Sequence, residues 1–121
     1  MLTFRRSNPD GVMPNKTKVG FTLHCPRDTY VPRKKYAAID LGVEFLPPPS
    51  DKIIVGDIRP LNELFINHGV YALNSLCDSK IVVVLINNSD TDYTVSRGEP
   101  IAHLILTESL VMPGSSSFVE A

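Results

Sequence analysis

Tryptophan is absent from this chain, cysteine occurs only as Cys25 and Cys77, and aromatic residues make up 7% of the sequence. The two cysteines belong to no CxxC or Cys/His ligand spacing, so neither a disulfide framework nor a zinc site is predicted, and buried thiols are the simpler reading. His24, His68 and His103 are scattered and form no ligand cluster. No apolar run reaches the roughly 18 to 20 residues that a membrane-spanning helix needs, and MLTFRRSNPD at the start lacks the apolar segment of a secretory signal, so an intracellular soluble protein is expected. An excess of charge of either sign is missing too. Twelve basic residues against thirteen acidic leave a formal net charge of −1, which predicts no general attraction to nucleic acid or to an anionic membrane.

What is present is β-structure. The chain is 121 residues long, 43% hydrophobic, and contains ten prolines, enough for one domain with a real core. Thr3 to Arg6 reads as a first strand before the turn signal Asn8-Pro9-Asp10-Gly11. Val19 to Leu23 alternates as a strand, and Tyr30-Val31 opens another extended piece. Pro26 and Pro32 exclude a helix there. Arg33, Lys34 and Lys35 read as a solvated turn. In Ala37 to Phe45 the apolar residues Ile39, Leu41, Val43 and Phe45 recur at period two, with Asp40, Gly42 and Glu44 between them, as a half-buried strand requires. Pro47-Pro48-Pro49 is expected to form an extended exposed loop before a strand at Ile53 to Val55. Pro60 precedes Leu61 to Ile66, the one place that suits a turn or two of helix.

The densest β signal lies at residues 80–106. Ile81 to Ile86 is an unbroken apolar run that suits a strand covered on both faces. Asn87-Asn88-Ser89-Asp90 turns the chain, Tyr93 and Val95 alternate with polar residues, and Arg97-Gly98-Glu99 leads into Ile101 to Leu106. Together these predict a three-stranded β-meander. After Leu106 the pattern weakens, so a β domain over residues 1–110 and a flexible tail over 111–121 are expected. Many short strands with at most one short helix predict an all-β, jelly-roll-like barrel.

The order of these pieces resembles the trimeric dUTPase family over most of the chain. Val83 to Tyr93 and Gly98 to Ile105 are similar to the family's VVLFNHSDEDF and GDRIAQLI segments, Gly56 to Pro60 to its GRIAP, and Leu64 to Val70 to its LALKHGI. The resemblance implies a dUTPase-like jelly-roll or β-clip fold and a homotrimer. In that family dUTP is cleaved between the α and β phosphates with magnesium, a base-activated water and donors around the triphosphate. At those positions the chain departs from the pattern. Thr22 stands for the aspartate of AGxDL, Leu61 for the arginine of PRSxL, and His103 for the glutamine of IAQLI. Asn74 stands for the carboxylate of the GVIDxxYxG hairpin, and Cys77 for its tyrosine. An amide cannot act as a general base, a contribution worth roughly 10² to 10⁴ in rate. Leucine cannot replace a guanidinium fork.

Thr22, Leu61, Asn74, Cys77 and His103 therefore read as degenerate catalytic positions. The expectation is a dUTPase fold without activity or cofactor, acting through protein partners and similar to the dUTPase-derived adenoviral early-region proteins. Its ending, Phe118-Val119-Glu120-Ala121, does not match their PDZ-binding tail. The alternative is a divergent dUTP pyrophosphatase or nucleotide-binding protein, dependent on Mg²⁺, in which Asp78, Asp40 or Glu63 takes over metal or base duties.

Overall fold

The computed structural model describes residues 3–46, 52–77 and 79–110. The expected Pro47 to Pro49 loop, the tail from residue 111 and Asp78 lie outside them. Three sheets hold the strands. The first, four-stranded, has the order β1 (Thr3–Arg6), β5 (Tyr36–Leu46), β9 (Lys80–Asn87), β7 (Val70–Ala72). The second, five-stranded, runs β2 (Asn15–Lys16), β3 (Phe21–His24), β11 (Pro100–Leu110), β6 (Lys52–Pro60), β8 (Ser75–Cys77). A ribbon of β4 (Thr29–Val31) and β10 (Tyr93–Val95) completes the set, and α1 (Asn62–His68) is the one helix among the described residues. No helix described is long and apolar enough to cross a membrane.

The all-β, jelly-roll-like expectation is borne out. Alternation in β5 turns Ile39, Leu41, Val43 and Phe45 into the core, where they meet Leu23, Ile58 and Leu104 from the five-stranded sheet. Burying such side chains contributes about 1.5–3 kcal/mol each, and the two sheets are held face to face by it. Helix α1 is short because Leu61 before it is extended, at φ −96° and ψ 127°, and Gly69 after it is left-handed at φ 68°. A Cβ at Gly69 would also stand 2.9 Å from Ser89 Cβ.

Two expectations are corrected. The three strands of residues 80–106 do not form a meander: β9 pairs with β5 and β7, β10 with β4, and β11 with β3 and β6. Each turn carries the chain to another sheet. The Asn87 side-chain amide donates to the carbonyls of Val31 and Thr91, at 3.0 and 2.9 Å, which fixes the first departure toward the β4–β10 ribbon. Gly98 at φ 84° fixes the second, where its N–H donates to Cys25 O at 2.7 Å. Nor is β9 covered on both faces. Ile81, Val83 and Leu85 are buried, whereas Val82 is exposed and Val84 and Ile86 are half-buried.

Candidate functional site

The outer face of the five-stranded sheet carries a polar row. His103 on β11 lies opposite Thr22 on β3 and opposite Arg59 on β6, and Thr22 in turn lies opposite Asn15 on β2. Residues directly opposite in an antiparallel pair point to the same side. Their sequence neighbours Leu104, Ile58 and Leu23 are fully buried, so this row points outward. Thr22 Oγ1 and His103 Nε2 stand 3.5 Å apart. Arg59 Nε donates to Asp57 Oδ2 at 2.7 Å, two residues back on the same face of β6.

Beside this row the chain leaves β6 through Leu61, and the surface hollows around that residue. Thr22, Leu61, Asn62, Glu63 and Pro100 line a concavity of about 380 Å³. A hollow of about 210 Å³ continues from it past Glu63, Asn67, His68 and Glu99, and another of about 290 Å³ also borders Leu61 and is lined by Phe65 and Tyr71. Under the second hollow, the His68 ring stacks on Tyr93 with centroids 4.2 Å apart and planes 25° apart. Tyr93 Oη donates to Glu99 Oε2 at 2.5 Å, and Glu99 Oε1 accepts the Ser96 N–H at 3.0 Å. Burial, and then the bond to Glu99, push the Tyr93 phenol up to about 12.

Thr22, Leu61 and His103 are thus brought together, as the motif comparison implies. Asn74 and Cys77 sit elsewhere. The resemblance implies a hairpin over residues 71–79, but β7 pairs with β9 in one sheet and β8 with β6 in the other. The segment bridges the sheets and presents Leu73, Asn74 and Leu76 to solvent, with Cys77 in register with Gly56. Leu73 and Asn74 connect the two strands, and what separates β7 from β8 is the different sheet each one joins.

Of the three substitute carboxylates, Glu63 lines the cleft. Asp40 is engaged in the four-stranded sheet: it accepts the Gly42 N–H at 3.0 Å and pairs with Lys80 at 3.2 Å, and these, the Gly42 bond first, hold its carboxyl below the usual range. Among the described residues no group of three or more His, Cys, Asp or Glu is placed to hold a metal. Arg59, Tyr93 and Glu99 were missed by the sequence reading of the site. Arg59 is found only through strand register, which β6 supplies by running well beyond the Ile53 to Val55 core expected for it.

A dUTPase family model matches residues 12–118. The deoxyuridine 5'-triphosphate nucleotidohydrolase of avian adenovirus 8 is 31% identical over 116 residues, covering 90% of this chain and 69% of the relative. That of Eremothecium gossypii is 29% identical over 112 residues, covering 87% and 71%. Among solved structures, a mutant dUTPase from phage phi11 of S. aureus superposes with a TM-score of 0.78 at 14% identity over 93% of both chains, and is described with a structural Mg(II) ion. The EIAV dUTPase gives a TM-score of 0.69 at 20% identity, covering 89% of this chain and 88% of its own.

The name shared by these relatives is that of an enzyme, which overturns the expectations of a non-catalytic interaction protein and of no enzymatic activity. The expectation of no cofactor falls with them, on the Mg(II) ion of the phage protein. Losses at five motif positions do not exclude activity while charged groups such as Arg59 and Glu63 stand nearby on the same surface.

Proposed function

Because this chain belongs to the dUTPase family, we propose that it hydrolyses dUTP to dUMP and pyrophosphate. The observation that carries this reading is the family match across residues 12–118, supported by relatives named for that reaction. Water attacks the α phosphorus, the bond to the bridging oxygen breaks, and pyrophosphate leaves with that electron pair. The triphosphate occupies the hollow around Leu61, which Thr22 lines, with the His103 imidazole 3.5 Å from the Thr22 hydroxyl.

Glu63 takes the proton from the attacking water, since it is the carboxylate lining both parts of the cleft beside Thr22 and Leu61. Asn74 takes no proton, because its amide nitrogen is not basic. The donor set described does not make a resident metal cage, which suits Mg²⁺ arriving on the substrate: it dehydrates reluctantly and is commonly held by phosphates with one or two carboxylates. When bound, the ion neutralises phosphate charge. A homotrimer is part of the proposal, and the adenoviral relatives support a viral source.

The test is pyrophosphate release from dUTP in the presence of magnesium. The wild-type chain is expected to turn over at ordinary enzymatic rates, near roughly 10 per second, and Glu63→Gln to lower kcat by roughly 10² to 10⁴. No release above background from the wild type overturns the activity; an unimpaired Glu63→Gln removes that residue from the mechanism.

A further inference from the structure

We infer that Arg59 supplies the guanidinium that meets the anionic end of the substrate, in place of the arginine that the family resemblance puts at position 61. This rests on the reading of the cleft as a nucleoside triphosphate site. The residues lining the main concavity are Thr22, Leu61, Asn62, Glu63 and Pro100, none of them basic. A triphosphate in that hollow would meet a carboxylate and no cation from its own walls, an unfavourable balance wherever water is partly excluded. Strand register supplies the missing charge.

Arg59 lies opposite His103, and His103 opposite Thr22, so all three project from one face of the sheet. With neighbouring strands about 4.8 Å apart, the Arg59 backbone stands about 10 Å from that of Thr22, within reach of an arginine side chain extended across His103. Leu61 follows two residues later, just past the end of β6, where it lines the hollow and also packs on the core. Position 59 lies on the outward face of the sheet beside that hollow, whereas a shift of one, to position 58, would have turned the arginine toward the core.

In the structure the Arg59 Nε donates to Asp57 at 2.7 Å, two residues along β6 on the side away from Leu61, so meeting a phosphate at the cleft requires the guanidinium to turn from Asp57. Among the described residues its two terminal nitrogens have no hydrogen-bond partner, and their four N–H groups can grip a phosphate as a fork. The side chain is 53% exposed. Asp57 competes with a phosphate for the guanidinium and offsets part of its charge, so removing that carboxylate should strengthen anion binding.

Inorganic tripolyphosphate is the probe, titrated calorimetrically into the full chain. Arg59→Ala is expected to weaken binding roughly 10- to 100-fold, the range for lost hydrogen bonds to a charged group. Arg59→Lys, which keeps the charge but not the fork, should fall between, and Asp57→Asn should bind more tightly than the wild type. Binding by Arg59→Ala equal to that of the wild type, or no heat from the wild type at millimolar probe, overturns the assignment. Thermal melting of each variant establishes that it is folded, and Arg59→Lys carries the test if Arg59→Ala is not. Because the probe has no nucleoside, its failure is separable from failure of the dUTP reaction: tripolyphosphate binding without dUTP turnover refutes the hydrolysis alone, and full turnover by Arg59→Ala refutes only the role of Arg59.

Discussion

Tyr93 concentrates several interactions in one side chain. Its ring lies against His68, the last residue of α1, and its hydroxyl is tied to Glu99, just before β11, so it joins two walls of the cleft. The fold favours the neutral phenol, raising Tyr93 from about 10 in the unfolded chain to about 12. Stability drawn from that difference is complete below pH 10 and is lost as pH rises through the folded value, between about 10 and 12. Tyr93→Phe should cost about 1–2 kcal/mol at neutral pH through the lost bond to a carboxylate. It should also flatten the alkaline fall in stability. Urea unfolding of both proteins at neutral pH and across that window checks this, and parallel alkaline curves would remove Tyr93 as their source. The sequence displayed Tyr93 as a half-buried strand residue, but the turn Arg97-Gly98-Glu99 announces only a backbone reversal. Which side chain reaches back from a turn depends on tertiary placement.

At the scale of elements, β5 is the strand most legible from sequence, yet its bend is not a matter of alternation. Gly42 adopts φ 69°, and the pairing with β9 shifts register between Asp40 and Glu44. Asp40 accepts the Gly42 N–H, and the Gly42 carbonyl accepts the Ser7 N–H at 2.9 Å, while Gly11 packs so closely that a Cβ there would fall 2.3 Å from Gly42 O. Left-handed backbone costs an ordinary residue roughly 1–2 kcal/mol, and a Cβ at residue 42 would also stand 3.0 Å from Asn8 Cβ. Gly42→Ala should therefore lower stability by at least about 1–2 kcal/mol, read as a lower urea midpoint at unchanged slope. A midpoint equal to that of the wild type would contradict the strain. The strands themselves were readable because period two reports burial directly. Their partners were not: a turn signal does not say whether the next strand returns to the same sheet, and β9, β10 and β11 enter three different ones. The same limit hid the row formed by Thr22, His103 and Arg59, which lie far apart in sequence and meet only through register.

For the whole molecule, the two outer faces differ in kind. The five-stranded sheet turns a polar row outward, whereas the four-stranded sheet presents Tyr36 opposite Ile86, with Tyr71 on the far side of Ile86, and Ala38 opposite Val84. Tyr36 is 69% exposed, and a hollow of about 440 Å³ runs from it past Val84 and Ile86 to Leu73. This apolarity explains why Ile81 to Ile86 reads in sequence as a strand covered on both sides: the described residues of one chain do not supply the second cover. The proposed homotrimer provides it from a second copy. Light scattering on the wild type should then give a mass three times that of the monomer. Val84→Asp should dissociate the assembly, because an unpaired carboxylate carries a desolvation cost of several kcal/mol into any interface that buries it. Thr94→Asp, on the exposed face of the β4–β10 ribbon, serves as the control of equal charge and should leave the mass unchanged. A wild-type monomer would remove the trimer, and a trimeric Val84→Asp would move the interface off this sheet.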